Sequence, residues 1–281
     1  MKSKLTSLIT IVAITALSAT AALAGPGILG TSHDIGNYLN GKGSTLHPSE
    51  TRICAGCHTP HHSLTPDMLA GIPNAPEYTP LWAHAVDLNY YDAYANPVFN
   101  ARTDGLRADD TLIGPSRLCM SCHDGVIAVD SYYQPATGVA AFTDNKGSVK
   151  IGGANDFGGN NIGIGAAGVG TFSMARNHPI GFDFKQFLTD ATKTLGEFQT
   201  GLPDKKYVNA GTTITVANRL YDTMGDGSTG YMTCATCHDV HNKLTPASEG
   251  PGTGTAQFYF TLAPQAGSAL CVTCHAQAGT F

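Results

Sequence analysis

Cys54-Ala55-Gly56-Cys57-His58 is a segment with a definite chemistry, and its pattern occurs four times. The other copies are Cys119-Met120-Ser121-Cys122-His123, Cys234-Ala235-Thr236-Cys237-His238 and Cys271-Val272-Thr273-Cys274-His275. C-x-x-C-H is the attachment signature of c-type haem. Two thiols a short span apart add to the two porphyrin vinyl groups, and the following histidine ligates the iron. The four motifs consume all 8 cysteines of the chain. Zinc held by four thiolates would also use C-x-x-C pairs, but it does not call for a histidine after every pair. With 11 His in 281 residues, four such neighbours arise by chance with a probability on the order of 10⁻⁶. A disulfide framework leaves the same histidines unexplained, and a C-x-x-C redox motif would occur once, near a βαβ pattern. The expected cofactors are therefore four covalent haems c with their iron. Cys54, Cys57, Cys119, Cys122, Cys234, Cys237, Cys271 and Cys274 would attach them, and His58, His123, His238 and His275 would be the first axial ligands.

The remaining histidines are sorted by an internal repeat. Asn177-His178-Pro179-Ile180-Gly181 echoes Ser32-His33-Asp34-Ile35-Gly36, since both are His-x-Ile-Gly. Residues 237–246, CHDVHNKLTP, echo residues 57–66, CHTPHHSLTP. Leu270 to His275 echoes Leu118 to His123. One order of motifs thus appears twice, as in proteins built from repeated units. Seven histidines lie outside the motifs: His33, His47, His61, His62, His84, His178 and His241. The repeat pairs His33 with His178 and His61 with His241, which supplies four second axial ligands for four irons. His47, His62 and His84 have no counterpart and are expected to be ordinary hydrogen-bonded residues. His61 and His241 follow a first-ligand histidine by three residues. That reach cannot cross to the far face of the same porphyrin, so each is expected to ligate a different haem and draw two haems together. Met as an axial ligand raises the potential; no Met has a repeat counterpart, so low, negative potentials are expected.

The elements that position these residues are expected to be slight. The chain has 33 Gly, 15 Pro and 13% charged residues, where a globular chain carries about 25% charged. Few segments hold a helical period, Phe184 to Phe198 being the best candidate. The expected fold is loop-rich and mostly irregular with short helices and little sheet, a tetrahaem cytochrome whose core is dominated by haem. Residues 147–170 hold nine glycines and are expected to be loop or linker. They separate two two-haem modules, about 25–146 and 171–281, in one tetrahaem domain over 25–281.

At the N-terminus, Lys2 and Lys4, an apolar run from Leu5 to Leu17, and Ala22-Leu23-Ala24 form a signal-peptide pattern. Cleavage is expected after Ala24, removing residues 1–24. The apolar run is short for a membrane span, and no later stretch reaches that length. The net charge of −5 and the lack of a basic run argue against nucleic acid as a partner.

The order of motifs over nearly the whole mature chain resembles that of exported multihaem c-type cytochromes with doubled C-x-x-C-H motifs. Within them it is most similar to the four-haem OmcE-type subunits of extracellular cytochrome nanowires. The resemblance implies electron transfer through bis-His haems stacked in a continuous chain, in a head-to-tail homopolymer at the cell exterior with redox partners at the cell surface. It also implies that a histidine of one copy can ligate a haem of the next, a role that would fall to His33. Heterologous contacts that do not close generate such filaments. A monomeric periplasmic tetrahaem shuttle is the alternative, and a multihaem reductase a further one. The reductase would need an iron with an open position, whereas seven histidines compete for four vacancies, so a non-enzymatic role is expected.

Overall fold

Each C-x-x-C-H segment folds as a single helical turn in the computed structural model. The structure describes residues 28, 33–34, 53–59, 63–65, 79–84, 86, 91, 111–124, 166–167, 171–172, 177–190, 198–199, 201–202, 204–207, 213–241, 260–263 and 266–276. The expected signal peptide, His47, His61, His62 and most of the Gly-rich stretch lie outside these residues.

The first motif begins in a 3₁₀ turn, Ile53–Gly56. The second lies in α1, Pro115–His123, the third in α3, Cys234–Cys237, and the fourth in α4, Ala269–Cys274. In three of them the histidine N–H closes the turn on the first cysteine carbonyl: His58 on Cys54 at 2.8 Å, His238 on Cys234 at 3.0 Å and His275 on Cys271 at 2.9 Å. Helical spacing places residues i, i+3 and i+4 on one face, so both thiols and the imidazole project together. Pro115 opens α1, at the helical position where a missing N–H costs nothing.

After the motif the chain straightens. His238 and His275 take extended dihedrals. His58 bridges Trp82, His238 bridges Thr261 and His275 bridges Phe198. The first and third motifs share one arrangement in detail. Thr59 N–H donates to Leu81 O and Ala83 N–H to Cys57 O; Asp239 N–H donates to Phe260 O and Leu262 N–H to Cys237 O. Leu81 and Phe260, at equivalent positions, both take φ of 53°, a left-handed conformation that costs a side-chain-bearing residue roughly 1–2 kcal/mol. Leu81-Trp82-Ala83 and Phe260-Thr261-Leu262 share no residue type in register, yet the backbone treats them alike.

The expected helix over 184–198 is shorter than the periodicity suggests. α2 spans Phe184–Thr189. Asp183 caps it, its carboxylate accepting from Gln186 N–H at 3.1 Å. Asp190 is already extended at φ −74°, ψ 105°. Thr189 and Asp190 are weak helix formers whose side chains compete for backbone groups, and they stop the helix before the apolar pattern ends. Phe198 instead lies against His275, ring centroids 5.1 Å apart.

The sheet among the described residues is one two-residue antiparallel ribbon, β1 (Ala166–Ala167) with β2 (Thr171–Phe172). It sits where the Gly-rich stretch ends. A buried cluster gathers Phe182, Phe184, Phe187, Tyr207, Val216, Met232, Leu262 and Ala263, and a smaller one gathers Tyr91, Leu112 and Met120. Ile180 packs against both. Gly181, the last residue of His-x-Ile-Gly, has φ of 78°, and a Cβ there would fall 2.3 Å from the Thr111 carbonyl oxygen. Thr111 Oγ1 in turn donates to Ile180 O at 2.8 Å. The motif glycine is therefore a packing requirement that seats the loop carrying His178 on the α1 entry.

Candidate haem-binding site

Three pairs of histidine rings face one another, and each joins an expected first ligand to an expected second one. His33 and His123 have centroids 6.0 Å apart, His58 and His241 6.0 Å, and His178 and His275 6.4 Å. Two imidazoles bound trans to one metal at about 2 Å per bond stand with centroids about 6 Å apart. Both ring planes then contain the bonding axis, so the interplanar angles of 46°, 23° and 76° are all compatible with it. A haem iron takes two protein ligands, its other four being porphyrin nitrogens, so the pair is the relevant unit; no group of three metal-ligating side chains occurs among the described residues.

Local contacts decide which ring nitrogen is available. His58 Nδ1 donates to Pro80 O at 2.6 Å, and His178 Nδ1 to Pro179 O at 3.1 Å. Occupying Nδ1 in this way fixes the tautomer that leaves Nε2 as a lone-pair donor to metal. Burial, then the nearby His123, His238 and His241, push the His33 imidazole down to about 4. Burial and His238 lower His123 too. Both rings are neutral at pH 7, the form that ligates. His123 Nδ1 is buried without a hydrogen-bond partner.

His33 thus stands beside His123 of its own chain. His241 stands beside His58 of the first motif, not beside the His238 it follows by three residues. His238 lies close to His33 and His123. His61, the last expected second ligand, lies outside the described residues.

All eight thiols are free. Their neighbours set the four motifs in a row. Burial, then Cys122, push the Cys57 thiol up to about 12, which places motif one beside motif two. Cys119 hydrogen-bonds Cys234, and Cys234 N–H donates to Ser116 Oγ at 3.0 Å, so α1 packs on α3 and motif two meets motif three. Burial, then Cys274, push Cys237 up to about 12, linking motif three to motif four. At the ends of the row, Cys54 and Cys271 are exposed.

Several site residues were not visible in the motifs. The Pro80 carbonyl, Phe198 and the left-handed Leu81 and Phe260 meet the paired histidines or their neighbours through backbone or ring contact, which no residue type announces. Phe260 meets the His33 ring edge-on, centroids 4.5 Å apart. His84, expected to be an ordinary hydrogen-bonded histidine, is 1% exposed with Nε2 3.8 Å from Cys122 Sγ.

Compared with known proteins, the chain matches no family model and no curated sequence. No helix among the described residues is long and apolar enough to cross a membrane.

Proposed function

We propose that the chain is an electron-transfer protein holding four covalent haems c, each capped on both faces by histidine, and that it acts outside the cytoplasm as a head-to-tail polymer of its own copies. The observation that carries this proposal is the set of three imidazole pairs at 6.0–6.4 Å, each joining a C-x-x-C-H histidine to one selected by the repeat. His33 with His123, His241 with His58 and His178 with His275 serve motifs two, one and four. The repeat leaves His61 for motif three: His241 serves the first motif of the other module, and its counterpart does the same in return. The bound group supplies a one-electron ferric/ferrous couple, of low potential with two imidazoles and no thioether sulfur on the iron.

The chain's own residues explain why this would be transfer and not catalysis. Doubly capped irons offer no position to a substrate, and the attachment sites run in chain order through the molecule. The exposed cysteines of the first and last motifs, Cys54 and Cys271, put the ends of the row where a neighbouring copy or a soluble partner can reach.

The test is expression with c-type haem maturation, followed by mass spectrometry and electron paramagnetic resonance. Four covalent haems, all low-spin, are expected, with midpoint potentials below the hydrogen-electrode zero. A five-coordinate high-spin haem in the resting protein overturns the transfer assignment. Electron microscopy of the secreted material tests assembly separately: filaments support the polymer, and uniform single particles favour the monomeric shuttle.

A further inference from the structure

The first and third motifs are built on one backbone plan but differ in charge at one position. Asp239 and Thr59 are equivalent, each following its motif histidine and each donating its N–H to a left-handed residue, Phe260 or Leu81, at 2.8 Å. Asp239 carries a carboxylate where Thr59 carries a hydroxyl. That carboxylate is directed at His241: Oδ1 accepts from the His241 N–H at 3.1 Å and lies 3.9 Å from the ring Nδ1. Its other oxygen is 3.5 Å from Arg219 NH1. Arg219 is itself fixed, donating to Ala235 O at 3.0 Å and His238 O at 2.8 Å. The carboxylate is thus held in place between a clamped guanidinium and the ring that faces His58.

We propose that Asp239 is a positioning and tuning residue that sets the potential at the first motif apart from that at the third. The inference rests on His241 being the second axial ligand there. The backbone hydrogen bond holds the residue that carries the ring, and at 3.9 Å the carboxylate acts on the ring through its charge, which favours the outer N–H and makes a ligating imidazole more basic. A more basic ligand and a nearby negative charge both favour the ferric ion, so the potential falls. Thr59 supplies neither effect at the equivalent place. Two sites that the repeat makes alike in ligand type are thereby made unequal, which gives the row of four a direction.

Redox titration of three variants of the haem-loaded, full-length protein tests this. Asp239→Asn is expected to raise one of the four midpoint potentials while all four haems stay low-spin. Thr59→Asp is expected to lower a different one, a gain that a merely structural role for Asp239 does not produce. His241→Ala is expected to leave one high-spin haem, which tests the ligand assignment by itself. Four unchanged potentials in Asp239→Asn, or a shift spread evenly over all four, overturns the tuning role. A high-spin haem in Asp239→Asn also overturns it, since the carboxylate then only holds the ring in place. If His241→Ala stays fully low-spin, the ligand assignment fails instead, and the tuning role falls with it.

Discussion

At the scale of single residues, the decisive objects are neutral imidazoles held at a fixed separation. His33 is half-buried and faces His123 at 6.0 Å within one chain, which makes an intramolecular effect the expected one. His33→Ala is expected to give one high-spin, carbon-monoxide-binding haem in four, in the same proportion at every protein concentration. Spectra across a dilution series check this, and a high-spin fraction that changes with dilution would assign His33 to a neighbouring copy. The burial of His33 also fixes a pH dependence. Its pKa is about 4 in the folded chain and about 6.5 when unfolded. The unfolded state therefore binds the extra proton first. The contribution to stability is complete above about pH 6.5 and is lost as pH falls from there toward 4. Iron ligation would hold the ring neutral as well, with the same sign, so denaturant midpoints of the haem-loaded protein at pH 7, 5.5 and 4.5 should decline in that order, and the decline should be weaker in His33→Gln.

At the scale of elements, what was legible in the sequence was whatever the chemistry writes into residue types. C-x-x-C-H names its own helical turn, and His-x-Ile-Gly names a loop whose glycine turns out to be sterically required. The repeat picked out His33, His178 and His241, and each of them faces a motif histidine. The bridging strands stayed hidden. Leu81-Trp82-Ala83 and Phe260-Thr261-Leu262 do the same work through backbone hydrogen bonds, which almost any side chain permits. The short end of α2 was hidden for a related reason: an apolar period continues past Thr189 because Phe198 is needed against His275, not because the helix goes on. Two substitutions probe these elements. Gly181→Ala meets both the left-handed conformation and the Thr111 carbonyl, and should cost more than the roughly 1–2 kcal/mol of the dihedral alone. Ser116→Ala strips the acceptor from the half-buried Cys234 N–H, and should cost about 0.5–1.5 kcal/mol, the net worth of an ordinary hydrogen bond. Thermal unfolding measures both, and a neutral Ser116→Ala would mean that α1 and α3 are held together by something other than that bond.

At the scale of the whole molecule, the described helices run to nine residues at most, and the apolar clusters among the described residues are small. A full complement of buried Phe, Leu and Met side chains yields about 1.5–3 kcal/mol each, against roughly 1–2 kcal/mol of backbone entropy for every residue ordered. Among the described residues the apolar burial is gathered in two clusters, of eight and of three side chains. Beside these clusters the motifs converge: imidazole faces imidazole at 6.0–6.4 Å, and the Cys119 thiol of one motif hydrogen-bonds Cys234 of the next. A site whose ligands are brought together only in the folded chain makes binding and folding one event. The haem-free chain, produced without c-type maturation or with both cysteines of each motif replaced by alanine, is therefore expected to show no cooperative thermal transition and rapid proteolysis, while the loaded chain melts cooperatively. Circular dichroism and limited proteolysis on the two forms decide it. A haem-free chain that melts as a single sharp transition would mean that the polypeptide holds the ligand pairs in place unaided, and that the row of motifs is a preformed scaffold into which the cofactors merely insert.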